Sequence, residues 1–190
     1  MKTSCVFWLQ WILATLGGFF LSLLLIEVGE KPDLGIVEAL SGGAIVGLTQ
    51  TLVLYRRIDK AWLWLLTSII IWGLLETVKI GAVGWIAPRT LQIDLRLIYG
   101  AIHGAEVGIC LGIAQWLILA KQISLSWLWI LASIVSWAVG LSLGWAYGGV
   151  LRLATNLFLA DVVGLGVAWA IAGGLTGFTL IWLLGKDAMI

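Results

Sequence analysis

The sequence has very little charge. Only 11% of its 190 residues are Asp, Glu, Lys or Arg, 62% are hydrophobic, and the mean hydropathy is +1.09. Soluble domains are about 25% charged and about 45–50% apolar. No polar stretch is long enough to build a domain outside a membrane. The composition therefore predicts an integral membrane protein and argues against a soluble enzyme.

The residue types that build catalytic and metal sites are also scarce. The chain has one histidine and two cysteines, Cys5 and Cys110, which lie in or beside apolar segments without metal-ligand spacing. It has no Ser/His/Asp set, zincin motif, phosphate-binding loop or dinucleotide fingerprint. We therefore predict no catalytic residue and no metal, and we assign no cofactor. A net charge of +1 without a basic stripe argues against nucleic acid binding.

Long apolar runs are abundant instead. A helix needs about 20 apolar residues to cross roughly 30 Å of hydrocarbon. Residues 1–190 are expected to form a single transmembrane, all-α domain, and the run at 151–161 could add a short interfacial helix. Six segments have the required length and composition: residues 6–28, 36–55, 61–78, 97–120, 125–147 and 162–184.

The distribution of basic residues predicts the orientation. Six spans place both termini on one side of the membrane. The basic residues predicted for that side lie at the termini and in short loops, where the positive-inside rule operates. We expect both termini to be cytoplasmic, in a bacterial inner or internal membrane. These residues are Lys2, Arg56, Arg57, Lys60, Lys121 and Lys186.

Tryptophan is unusually frequent, with 13 residues. Eight of them fall at the predicted cytoplasmic ends of the spans. Indole rings favour the headgroup level of a bilayer, so these positions predict an interfacial tryptophan belt. The eight are Trp8, Trp11, Trp62, Trp64, Trp116, Trp127, Trp129 and Trp182.

The chain also contains an internal repeat. The segment beginning GLTQTLVL at residue 47 recurs 65 residues later as GIAQWLIL, with Gln115 in the place of Gln50. Each is followed by a WLW motif, and a weaker copy combines the two ends of the chain. The pattern predicts three helical hairpins, at about 6–57, 61–120 and 125–185, related by rotation about the membrane normal.

Small residues recur every four positions on the even-numbered spans. Close backbone approach between helices, rather than apolarity, stabilises helix packing in a bilayer. We expect the three even-numbered helices to pack centrally and Gln50 and Gln115 to form interhelical hydrogen bonds there. The predicted packing residues are Ala39, Gly43, Gly47, Gly104, Gly108, Gly112, Gly166, Ala170 and Gly174.

Ionisable residues within the fourth span have no counterparts in the repeat. His103 and Glu106 lie with Arg96 and Tyr99 within about 80° of arc on one helix, away from the glycines. Charged groups at membrane depth are costly, which makes them candidates for function. Glu76 and Asp161 could converge on the same outer region. Internal ion pairs, a pocket for a small solute or headgroup, and a metal or acid–base site remain the alternatives.

The phrases GIAQWLIL and WLWILAS resemble those of small polytopic bacterial membrane proteins, a resemblance that implies no activity. Six spans, this length and an outward polar pocket also resemble the substrate-binding components of energy-coupling-factor vitamin transporters. Those proteins dock their transport partner through small residues on the first helix. The resemblance implies that Ala14 and Gly18 form such a docking patch.

Two functions follow as hypotheses. The first is a non-enzymatic integral membrane subunit, structural or accessory within a larger complex, with contacts to other subunits and to lipid or pigment. The alternative is a small-solute-binding component of membrane transport, with an outward-facing polar pocket on the fourth helix. A homo-oligomeric channel is a weaker alternative, because no segment has the pattern of a pore-forming helix.

Overall fold

The computed structural model describes residues 2–28, 34–78 and 80–187. These parts of the chain are helical and contain no strand. The six helices are α1 (Lys2–Ser22), α2 (Ile36–Leu54), α3 (Trp62–Thr77), α4 (Ile93–Leu119), α5 (Leu128–Thr155) and α6 (Leu159–Asp187).

The helices form a closed ring. Each helix contacts the next one along the chain, and α6 contacts α1. One end of the ring, here called the short-loop end, carries the loops 55–61 and 120–127. Gln122 joins these loops, because its Oε1 accepts a hydrogen bond from the Asp59 amide at 2.5 Å and its Nε2 donates to the Asp59 carbonyl at 3.0 Å. The opposite end is called the capped end.

The chain is a helical membrane protein. Among the described residues, five helices, all except α3, are long and apolar enough to cross a bilayer. The 16 residues of α3 span about 24 Å at 1.5 Å per residue, less than the roughly 30 Å of hydrocarbon. Six spans were expected, and α3 falls short of that length because the chain leaves the helix at Thr77 and turns into the mouth of the ring.

Two predicted boundaries are wrong. Residues 151–161 do not form a separate interfacial helix, because α5 continues to Thr155 and α6 begins at Leu159. Asn156 ends α5 in the left-handed conformation, with φ of 57°, which asparagine tolerates at a helix C-terminus. The first helix ends at Ser22 rather than near residue 28. Pro32 and the side chains of Lys2 and Lys186 lie outside the described residues.

Tryptophan rings fill the interior of the ring in two layers. In the first layer, nearer the short-loop end, Trp64 contacts Trp11 and Trp129 edge to face, with centroids 5.8 and 5.5 Å apart. In the second, Trp137 and Trp169 lie 4.7 Å apart and Trp72 packs against both. Aromatic rings therefore occupy the axis that the sequence assigned to small residues.

The interfacial belt is consequently wrong for three of its tryptophans. Trp11, Trp64 and Trp129 are fully buried, whereas Trp62, Trp127 and Trp182 are exposed on the outside of the ring. Two residues separated by two positions on a helix point about 200° apart. Trp62 and Trp64 therefore cannot both face lipid.

A polar layer separates the two layers of rings. Trp64 Nε1 donates to Gln50 Oε1 at 3.0 Å, and Trp129 Nε1 donates to Gln115 Oε1 at 3.1 Å. The Nε1 of Trp11 donates to Thr176 Oγ1 at 3.0 Å. The prediction of interhelical hydrogen bonds by both glutamines is confirmed, although their partners lie on odd-numbered helices.

The polar layer surrounds a small central cavity. Its volume is about 30 Å³, and all six helices contribute to its lining, so it is the size of one or two water molecules. Among the described residues, Ser133 Oγ lies buried at this cavity without a hydrogen-bond partner. An unpaired buried hydroxyl costs about 1–3 kcal/mol.

Central packing of the even-numbered helices is also wrong. Within the described part of the chain, no two of them are in contact; each packs between two odd-numbered neighbours. On α4, a Cβ at Gly104 would collide with the Trp137 carbonyl of α5, and one at Gly108 would lie 2.6 Å from Ile134 Cα. The small residues allow neighbouring helices in the ring to approach each other. They do not meet at the axis, because indoles occupy it.

The other predicted small residues follow the same rule. On α2, Cβ atoms at Gly43 and Gly47 would meet Ser68 of α3. On α6, Gly166 and Gly174 face α1 with no atom closer than 3.3 Å to an added Cβ. Of the remaining predicted packing residues, Ala39 is fully buried and Ala170 is half-buried. Gly112 packs against Ile130 and Ser133.

Replacing Gly104 with alanine should destabilise the protein, because the added methyl meets backbone atoms of α5 that cannot rotate away. Overpacking of this kind costs about 1–3 kcal/mol, which corresponds to a Tm lower by roughly 2–12 °C for a chain of this size. Gly174→Ala is the matched control, since its nearest neighbour is 3.9 Å from the added Cβ. Thermal unfolding in detergent measures both, and equal Tm values would contradict the proposed packing.

Candidate functional site

A segment of irregular backbone closes the capped end of the ring. Residues 80–92, here called the capping segment, connect α3 to α4 and bury Ala82, Val83 and Trp85. Trp85 Nε1 donates to Ser22 Oγ at 2.6 Å, and its ring packs 4.7 Å from that of Trp72. Irregular backbone at membrane depth is tolerated only where protein surrounds it, and here the ring does so.

The start of the capping segment is fixed by the end of α3. Gly81 has φ of 85°, a left-handed conformation that glycine adopts without strain, and its amide bonds to the Leu75 carbonyl. The buried carboxylate of Glu76 accepts a hydrogen bond from the Ala82 amide at 3.3 Å. Glu76 therefore lies at the base of the capping segment, apart from His103 and Tyr99.

The end of the capping segment is held by Arg96, which is fully buried. Its Nε donates to the Thr90 carbonyl at 2.6 Å, and one terminal nitrogen donates to the Pro88 carbonyl at 3.0 Å. The other terminal nitrogen donates to the Trp145 carbonyl at 3.0 Å and to Asp161 Oδ1 at 2.5 Å. One guanidinium thus connects α4, α5, α6 and the capping segment.

Asp161 completes this buried cluster. Its second oxygen, Oδ2, accepts a hydrogen bond from Arg152 at 2.8 Å. Gly148 and Gly149 make room for the group, because a Cβ on either would approach Asp161 or Arg96 within about 3.3 Å. A buried charge that is paired and fully hydrogen-bonded avoids most of the cost of desolvation. Arg96 and Asp161 therefore build the frame of the capped end.

A pocket of about 410 Å³ lies between the capping segment and helices α4 and α5. We call it the capped-end pocket. Most of its wall is apolar, with a phenol, an imidazole, a threonine hydroxyl and a guanidinium among the side chains. It is lined by Ile80, Val83, Ile86, Ala87, Pro88, Arg89, Thr90, Tyr99, His103 and Trp145.

His103 and Tyr99 are the predicted site residues that line this pocket. His103 Nδ1 lies 2.8 Å from Glu106 Oε2, so the predicted pairing of these side chains is present. They are 38% and 39% exposed, and Glu106 lies at the centre of the 27-residue helix α4. The structure therefore places Tyr99, His103 and Glu106 together and assigns Arg96, Asp161 and Glu76 to the supporting frame.

Trp145 is a pocket residue that the sequence did not indicate. Its ring contacts that of His103 edge to face at 6.1 Å. Its buried indole N–H has no hydrogen-bond partner among the described residues. The sequence also did not indicate that residues 80–92 close the end of the ring, although Pro88 and the nearby glycines in the 79–96 connection predicted irregular backbone there.

The pocket wall offers shape and a few hydrogen-bonding groups. Among the described residues, no group of three or more His, Cys, Asp or Glu side chains could hold a metal ion. Apolar walls with a few converging polar groups are typical of small-molecule sites. This arrangement can hold a small molecule with an apolar body and one or two polar atoms.

The docking patch implied by the transporter resemblance is not available on the surface. Gly18 is buried against α2, where an added Cβ would lie 3.0 Å from Val46 Cα. Ala14, one turn earlier, is half-buried. The small residues of α1 thus serve packing within the chain.

Comparisons with protein-family models, with curated proteins and with solved structures find no match to this chain.

Replacing Arg96 with glutamine should be strongly destabilising, because Asp161 would keep a single cationic partner and the capping segment would lose two anchors. Breaking a buried ion pair costs about 3–5 kcal/mol. Arg152→Gln is the control, since that side chain is 21% exposed and its loss should lower the Tm less. Thermal unfolding and limited proteolysis at residues 80–92 measure the effect. Equal losses for both variants would show that Arg96 has no special role.

Proposed function

We propose that this membrane protein is a non-enzymatic ligand-binding component that takes up a small amphipathic molecule in the capped-end pocket. The observation that carries the proposal is the pocket itself, with Tyr99, His103 and Trp145 on its rigid helical side. Its volume of about 410 Å³ falls within the range of roughly 300–1,000 Å³ typical of small-molecule sites.

The polar groups define what a ligand should offer. When His103 Nδ1 donates to Glu106, its Nε2 becomes a hydrogen-bond acceptor. The Tyr99 hydroxyl can donate or accept, and Trp145 contributes its ring surface, since its indole N–H is buried away from the pocket. The expected ligand therefore carries both donor and acceptor atoms on an apolar, ring-sized body.

Orientation supports a role in uptake or sensing. The basic residues Arg56, Arg57, Lys60 and Lys121 all lie at the short-loop end. By the positive-inside rule, that end is cytoplasmic. The capped-end pocket then opens on the opposite side, where it would meet solutes arriving from outside the cytoplasm.

We also propose that the chain consists of three repeated hairpins. In support, the Gln50–Trp64 and Gln115–Trp129 hydrogen bonds both join residues 14 positions apart. Lys60 and Leu125, which are 65 residues apart, share the left-handed conformation with φ of 54° and 55°. Repetition would explain the scaffold, with the pocket as an addition to it.

Ligand binding can be tested by thermal shift on the purified protein in detergent, with small organic acids, amines and neutral heteroaromatic compounds as probes. We expect at least one class to raise the Tm of the wild type. That rise should be lost in His103→Ala and reduced in Tyr99→Phe and Glu106→Gln.

Tyr55→Phe is the matched control for Tyr99→Phe, because Tyr55 is exposed at the short-loop end. It should leave the shift unchanged. No stabilisation of the wild type by any probe, or stabilisation that survives His103→Ala, would refute the site.

A structural or accessory subunit of a larger complex is the second candidate. The half-exposed His103–Glu106 pair favours it, since ionisable groups at the middle of a long helix are costly against lipid. A neighbouring subunit would cover them.

Purification in mild detergent with light scattering distinguishes these two functions. A ligand-binding protein should keep its mass in the Glu106→Gln variant. A stable hetero-complex that Glu106→Gln disrupts would instead support the accessory role.

A further inference from the structure

A third cavity lies nearer the short-loop end, between α3 and α4. Its volume is about 300 Å³. Of the neighbouring pairs in the ring, α3 and α4 make the least extensive contact, which leaves this space open. We call it the α3–α4 groove. It is lined by Lys60, Leu63, Thr67, Ala114, Leu117, Ile118, Lys121 and Gln122.

Two lysines stand at the short-loop end of the groove. Lys60 precedes α3 and Lys121 follows α4, and both are exposed. The two hydrogen bonds between Asp59 and Gln122 hold their loops side by side. No carboxylate among the described residues lies within 4.0 Å of either ammonium group. Asp59 is the one carboxylate in the loops 55–61 and 120–127, against Arg56, Arg57, Lys60 and Lys121, so this end of the groove carries a net positive charge.

The left-handed backbone of Lys60 supports this arrangement. Its φ is 54°, a conformation that is unfavourable for a residue with a side chain. Lys60 lies two residues before Trp62, the first residue of α3, and the turn places the Cα of Lys60 at the entrance of the groove. Lys121 occupies the corresponding position just after the end of α4.

Apolar side chains continue the groove away from the lysines. Leu63 lies in the first turn of α3 and Leu117 in the last turn of α4, and Leu117 is exposed on the outside of the ring. Thr67 and Ala114 extend the lining by another turn. One end thus offers cations, and the rest offers a surface that matches a hydrocarbon chain.

We propose that the α3–α4 groove binds an anionic phospholipid, with its phosphate between Lys60 and Lys121 and an acyl chain along Leu63, Leu117 and Ile118. Basic pockets between transmembrane helices on the cytoplasmic side recognise lipid headgroups in this way. The lipid would fill the weakest contact of the ring. The site is separate from the capped-end pocket, so neither proposal depends on the other.

Native mass spectrometry of the purified protein with dioleoyl phosphatidylglycerol tests the proposal, with dioleoyl phosphatidylcholine as the neutral comparison. We expect the wild type to retain phosphatidylglycerol and to bind it at least 10-fold more tightly than phosphatidylcholine. The double variant Lys60→Gln/Lys121→Gln should lose this preference.

Arg56→Gln/Arg57→Gln removes the same charge at the same end outside the groove, and it should keep the preference. Leu117→Trp keeps both lysines but fills the groove, so it should weaken phosphatidylglycerol binding. It provides an independent test of the site if the lysine variant does not fold.

Three results would overturn the proposal. One is equal loss of the preference in the lysine and arginine variants, which would indicate diffuse attraction to anionic lipid. Another is equally tight binding of phosphatidylcholine. The third is stabilisation of the protein by inorganic phosphate alone to the same extent as by phosphatidylglycerol, which would indicate an anion site without a lipid chain.

Discussion

A buried indole N–H without an acceptor is costly, and most of the tryptophans that join the helices of this ring have one. An unsatisfied polar group away from water costs roughly 1–3 kcal/mol in protein interiors, and hydrocarbon offers no substitute. Trp64 and Trp129 each reach the glutamine of the preceding helix, and Trp11 closes the ring by reaching Thr176 of α6. These bonds join α2 to α3, α4 to α5 and α6 to α1. These hydrogen bonds add to the close backbone packing at three of the helix pairs in the ring.

At the capped end, indole N–H groups likewise donate to acceptors, but there they join a loop to the helices. Trp85 donates to Ser22, and Trp169 donates to the Gly84 carbonyl, so two indoles hold the capping segment in the mouth of the ring. Arg96 adds carbonyl contacts at Pro88 and Thr90. Both of these residues line the capped-end pocket. The pocket is therefore shaped by the bonds that hold the capping segment, and Arg96 positions its wall without lining it.

The sequence predicts what periodicity and length control, and it misses what long-range contacts decide. The membrane class, the helices and the hydrogen-bonding role of Gln50 follow from local pattern. The partners of Arg96 do not, since Asp161 lies 65 residues away, and neither does the Trp85–Ser22 bond across 63 residues. The predicted tryptophan belt is wrong for Trp64. Trp62 and Trp64 lie on nearly opposite sides of one helix, so one indole faces outward and the other faces the ring interior. Composition alone does not distinguish these two environments.

The two sides of the capped-end pocket differ in how firmly they are held. Tyr99, His103 and Trp145 stand on α4 and α5, whose backbones meet closely at Gly104 and Gly100. The opposite wall is irregular backbone, anchored by buried side chains such as Trp85 and by hydrogen bonds from Arg96, which also binds the Trp145 carbonyl. Irregular segments outside the helices open at lower free energy than packed helices. In the proposed function, a ligand between these walls would contact a rigid helical side and a less firmly held capping segment.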